Sequence, residues 1–104
     1  MKIRLIVPNY NRNTSPIVAY GSLIADIAGG FTATQAVGGW KDDQGQLIVE
    51  PVTVFDIAAM DRPHATFPTL VESDMHNLAK QIARELFQTC VYLEIDGVVE
   101  YVTP

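Results

Sequence analysis

Ile3, Leu5 and Val7 alternate with Lys2, Arg4 and Ile6 at the start of the chain. That is the period-two pattern of a strand with one strongly apolar face, and Pro8-Asn9 ends it. Ser15-Pro16 then supplies an N-cap and a first helical position. Ile17, Tyr20, Gly21, Ile24, Ile27 and Ala28 recur at helical spacing until Gly29-Gly30 stops the helix. A long two-stranded hairpin is predicted from Phe31 to Asp56. Met60 to Pro68 contains two prolines and breaks any regular pattern, which predicts a loop long enough to act as a cover. Thr69-Leu-Val-Glu72 has the form of a capping box, and Val71, Met75, Leu78, Ile82 and Leu86 predict a second helix as far as Gln88. Cys90 to Ile95 reads as a strand, Asp96-Gly97 as a hairpin turn of the primed type, and Val98 to Val102 as a short return strand.

The order strand, helix, strand, strand, helix, strand, with a small hairpin appended, matches the split β-α-β layout of ferredoxin-like domains. The expected fold is therefore α+β, a single domain over residues 1–104 with both helices on one face of an antiparallel sheet. The other face would carry Arg4, Ile6, Thr32, Thr34 and Trp40. That mixture is too apolar to leave wholly in water, so self-association through the sheet is expected.

The central hairpin is the most informative stretch for function. A three-residue loop Asp43-Gln44-Gly45, with Gly45 supplying the left-handed conformation, makes Asp42 pair with Gln46. Trp40 then stands opposite Ile48 and Gly38 opposite Glu50, which puts Trp40 and Glu50 diagonally on one face with bare backbone at Gly38 between them. A flat ring, a carboxylate and a gap make a pocket wall. A slip of one residue would send Glu50 to the opposite face.

Composition narrows the functions open to such a fold. The formal net charge of -5 and the scattered Lys and Arg argue against non-specific binding to a nucleic acid backbone. Cys90 is the one cysteine, so neither an internal disulfide nor a thiolate metal site can be built within one chain, and its place at the head of an apolar strand suggests a buried small residue. No stretch approaches the length of a membrane span, and a cytoplasmic protein fits best. Asn13-Thr14-Ser15 matches a glycosylation acceptor, but without a secretory signal it reads as a helix start. His64 and His76 fall on different elements, no metal-ligand cluster or phosphate loop is present, and no cofactor is implied. His76 reads as a solvated helix residue, and His64 as a loop residue or part of a lid.

The anion-handling candidates are Arg4, Arg12 and the first backbone N–H groups of the helix after Ser15. Tyr10 and Arg12, within Asn9-Tyr10-Asn11-Arg12-Asn13, supply a ring and a guanidinium just before that helix. The same stretch also reads as an ordinary strand-to-helix turn, since Asn is common in turns. Glu50 and Trp40 likewise admit a plain reading, as a solvated sheet residue and a cover for the hairpin. Their combination favours a site, because core packing does not account for a carboxylate between β-branched residues and beside a proline.

The layout resembles the PII-like superfamily, whose ferredoxin-like subunits form trimers and bind nucleotides or related molecules in clefts between subunits. Gly38-Gly-Trp40 followed by Glu50-Pro-Val-Thr-Val54 also resembles small phage proteins, among them the phage S-adenosylmethionine lyases. That resemblance implies a catalytic position for Glu50 and puts Trp40 where the family has a functional tyrosine. Indole offers one N–H donor and a stacking face but no hydroxyl for a proton relay, which weighs against lyase chemistry and keeps binding of a flat base. The expectation is a homotrimer holding a nucleotide or nucleoside-type ligand with Tyr10, Arg12, Gly38, Trp40 and Glu50, in the manner of a phage anti-defence sponge for a signalling nucleotide. The alternatives are a nucleoside-cleaving enzyme using Glu50, and a structural oligomer without ligand.

Overall fold

The computed structural model describes residues 1–9, 15–59 and 68–104. The chain runs β1 (Lys2–Pro8), α1 (Pro16–Ala28), β2 (Thr32–Lys41), β3 (Leu47–Ala58), α2 (Pro68–Glu85), β4 (Val91–Ile95) and β5 (Val98–Val102). The strands form one antiparallel sheet in the order β2-β3-β1-β4-β5. This is the ferredoxin-like arrangement, with β5 added beside β4.

Local chemistry sets the ends of α1. The Ser15 hydroxyl accepts a hydrogen bond from the Val18 N–H at 3.3 Å, Pro16 occupies the first turn, and Gly29 closes the helix at φ 98° while donating to the Ala25 carbonyl. Helix α2 begins at Pro68, so Thr69 lies inside the helix and is not its N-cap. Proline is well suited to a first helical turn and overrides the capping-box reading. The helix ends at Glu85, earlier than Gln88, through a left-handed Phe87 (φ 53°) and a bond from the Gln88 N–H to the Ala83 carbonyl.

Alternation along the strands decides the core. Ile3, Leu5, Val7, Phe55, Ile57, Val91 and Leu93 point to the helical side and pack with Tyr20, Ile24, Met75, Leu78 and Ile82. Phe31 meets Phe55 edge to face, with centroids 5.2 Å apart. The Tyr20 hydroxyl donates to Glu85 at 2.7 Å and so joins α1 to α2. Cys90, expected inside, is exposed; the apolar alternation starts one residue later, at Val91. No helix among the described residues is long and apolar enough to cross a membrane, which says nothing of strands in a barrel.

Strand β1 stops pairing at Pro8↔Val52, whereas β2 and β3 continue as a ribbon through Val37↔Pro51, Gly38↔Glu50, Gly39↔Val49, Trp40↔Ile48 and Lys41↔Leu47. This arm projects beyond the sheet. At its root the Asn9 N–H donates to the Pro51 carbonyl at 3.0 Å. A residue in an antiparallel strand directs its N–H and C=O to the same neighbour. The N–H that Pro51 lacks therefore belongs to the β1 side, and the ladder to β2 loses nothing.

Candidate functional site

The arm is built as the turn chemistry requires. The Asp42 N–H donates to the Gln46 carbonyl at 2.9 Å, the Asp42 carboxylate accepts from the Gln44 and Gln46 N–H groups at 2.9 Å each, and Gly45 takes φ 76°. Trp40 pairs with Ile48 and Gly38 with Glu50, so the expected register is the observed one. Gly38, Trp40, Ile48, Glu50 and Val52 all lie on the sheet face away from the helices.

On that open face Trp40 is 46% exposed and Val52 is buried. A Cβ at Gly38 would lie 3.2 Å from Val52 Cγ1 and 4.0 Å from the Glu50 carbonyl oxygen. A side chain there would press on Val52, so glycine leaves bare backbone opposite Glu50. Glu50 is half-buried, and burial raises its carboxyl above the ordinary value with no opposing charge or hydrogen bond from the described residues. An acceptor in that condition gains from a ligand that brings donors.

Other candidates are placed elsewhere. Tyr10, Arg12 and His64 lie outside the described residues. Arg4 shares the open face, but its Nε donates to Asp56 at 2.9 Å, and six residues of β3 separate that pair from Glu50, about 20 Å of strand. The start of α1 is on the helical side and does not meet Trp40 or Glu50 within one chain. His76, read as solvated, is half-buried and lies 2.9 Å from a Glu100 carboxylate oxygen, where it bridges α2 to β5. Between those elements is a cavity of about 260 Å³ with Glu72, Asp96 and Leu93 also in its wall. Helical spacing alone carries no signal for it, since β5 supplies part of the lining. No group of three or more His, Cys, Asp or Glu among the described residues is arranged to hold a metal ion.

Sequence reasoning missed a polar feature at the root of the arm. Thr53 faces the core side and is fully buried, and its hydroxyl donates to Asn9 Oδ1 at 2.6 Å. Asn9 Nδ2 donates to Gln35 Oε1 at 2.7 Å, and Gln35 Nε2 donates back to Thr53 Oγ1 at 3.1 Å. The three side chains close a ring of hydrogen bonds across β1, β2 and β3. A signal exists in the pattern, as Thr53 and Gln35 are polar at positions where alternation predicts apolar residues.

No protein-family model and no curated protein matches the chain. Among solved structures it is similar to a phage SAM lyase in complex with S-methyl-5'-thioadenosine, with a TM-score of 0.67, 17% identity, and coverage of 99% of this chain and 88% of that one. It is also similar to a phage SAM lyase in the apo state, with a TM-score of 0.59 and 16% identity over the same shares. At such identity the likeness is one of fold.

Proposed function

We propose that this protein binds a nucleoside-type small molecule on the open face of the β2–β3 arm. The observation that carries the reading is the placement of Trp40 and Glu50 on one face beside the bare backbone of Gly38, with the Glu50 carboxyl half-buried and unpaired among the described residues. The indole supplies a stacking surface for the base, and the carboxylate accepts from an exocyclic amine or from ribose hydroxyls. Support also comes from the shared fold of the phage SAM lyase that holds S-methyl-5'-thioadenosine.

Among the described residues, a site on this ribbon is open on one side. In this reading a second copy of the chain closes it, in a homotrimer of the PII-like kind, with Tyr10 and Arg12 contributing to phosphate or sugar contacts. The biological purpose is that of a phage sponge withdrawing a signalling nucleotide. The partly apolar open face, with Val99 and Tyr101 exposed, supports self-association.

Calorimetric titration with S-methyl-5'-thioadenosine and with adenosine nucleotides tests the proposal. Binding is expected to weaken in both Trp40→Ala and Glu50→Ala while the unfolding midpoint stays near that of the parent. An unchanged affinity in either variant removes that residue from the site. The fold shared with the lyase supports a second reading, in which Glu50 acts as a base on S-adenosylmethionine. Incubation with S-adenosylmethionine and subsequent chromatography separate the two, because a pure binder returns the ligand intact.

A further inference from the structure

We infer that Thr53 is a positioning residue, the clasp that fixes the direction in which the arm leaves the sheet. The inference rests on the reading of the arm as a ligand-binding element and adds to it the part that holds Trp40 and Glu50 in place.

The ring of Thr53, Asn9 and Gln35 forms where a three-stranded sheet becomes a two-stranded ribbon. Gln35 pairs with Thr53 two rungs before the overhang begins at Val37↔Pro51, and Asn9 is the residue whose N–H reaches Pro51. A free two-stranded ribbon is marginal in water and bends readily about its root. The backbone rungs there leave that bending soft, whereas side-chain bonds between all three strands oppose it. Each member of the ring donates one bond and accepts one, so rotation of any one breaks two bonds, and for Thr53 it leaves a buried hydroxyl unpaired.

Packing alone does not call for this arrangement. The neighbouring inward positions of β3 hold Phe55 and Ile57, and valine has nearly the shape of threonine. A valine at position 53 would fill the same space without a hydroxyl to satisfy. What the hydroxyl adds is orientation of two amides, which otherwise rotate freely at the exposed edge.

Trp40 is the single tryptophan of the chain and lies on the arm, so its fluorescence reports arm motion directly. Time-resolved anisotropy of Thr53→Val is expected to show a clearly larger amplitude of nanosecond segmental motion than the parent, with Thr53→Ser restoring the parental value. Hydrogen exchange is expected to rise at the arm root while the amides of α2 keep their protection. If the reading of the arm holds, Thr53→Val also binds S-methyl-5'-thioadenosine about tenfold more weakly, and Thr53→Ser does not. Unchanged anisotropy in Thr53→Val, or exchange raised evenly over the whole chain, overturns the clasp. Altered anisotropy in a protein whose parent binds no nucleoside keeps the clasp and discards the ligand.

Discussion

Substituting Gly38 separates the architecture of the arm from its use. The backbone of Gly38 is not in the left-handed region, so Gly38→Val meets no conformational bar. A new Cβ would lie 3.2 Å from Val52 Cγ1, close enough that the Val52 side chain must give by a few tenths of an ångström. Against that cost, replacing glycine within a strand lowers the entropy lost on folding and adds β propensity, together worth about 1 kcal/mol. The two effects offset, and the unfolding free energy is expected to move by less than about 1 kcal/mol. For the proposed ligand the expectation differs, because the valine side chain would stand on the open face beside Trp40 and opposite Glu50. Loss of a charge-assisted hydrogen bond, about 1.5–3 kcal/mol, corresponds to roughly 10- to 150-fold weaker binding. Urea unfolding and calorimetric titration with S-methyl-5'-thioadenosine, run on the same preparations, measure both quantities. Parental affinity in Gly38→Val would show that nothing binds over Gly38 and that the glycine serves only the packing of Val52.

Three further outcomes are expected. Phe87 is 89% exposed in a left-handed conformation, so Phe87→Gly should raise stability by about 1 kcal/mol in urea, and a loss would point to packing that the exposure denies. Tyr20→Phe removes the bond to Glu85 and should cost about 1 kcal/mol at neutral pH. That bond, with one from Gln81, holds the Glu85 carboxyl below its ordinary value, so its stabilisation is present above the unfolded pKa and fades as pH falls through the folded one; the Tyr20→Phe deficit should shrink in acid thermal melts. For Glu50 the sign reverses, since burial raises its folded pKa and the cost of ionisation emerges as pH rises from the unfolded value through the folded one. Glu50→Gln should therefore gain on the parent in melting temperature as pH rises from the ordinary carboxyl value through the raised folded one.

Strand pairing was legible in the sequence wherever a turn has few solutions. Asp42 to Gly45 admits one compact loop, and that loop fixes every rung from Lys41↔Leu47 to Thr32↔Asp56. Asp96 and Gly97 do the same for β4 and β5, at φ 47° and 84°. The caps of α1 were equally readable, because Ser15 and Gly29 each have a single dominant use there. Less was legible where two local signals compete, as Pro68 and Thr69 do at the start of α2, or where an apolar run has no punctuation, as at Cys90. Relations between elements were hidden. Neither the His76–Glu100 pair nor the Tyr20–Glu85 bond can be inferred from spacing along one helix, since each depends on how far α2 slides against its neighbours. The same holds for the ring at Thr53, whose members are distant in sequence. Of the candidate site, the hairpin half was readable because register is a one-dimensional problem. The start of α1 does not join it within one chain, because the two lie on opposite faces of the sheet, a relation that no local pattern encodes.

Pro51 has a bearing on solubility. An overhanging strand carrying Leu47 and Val49 invites a foreign chain to add itself as the next rung, the first step toward fibrillar stacking. At the first position past the end of β1 the imide nitrogen has no proton to offer and the carbonyl is already taken by the Asn9 N–H, so a foreign chain meets no free rung before Val49. Pro51 thus takes one rung away from the free edge of β3 and shortens what an added strand could pair with there.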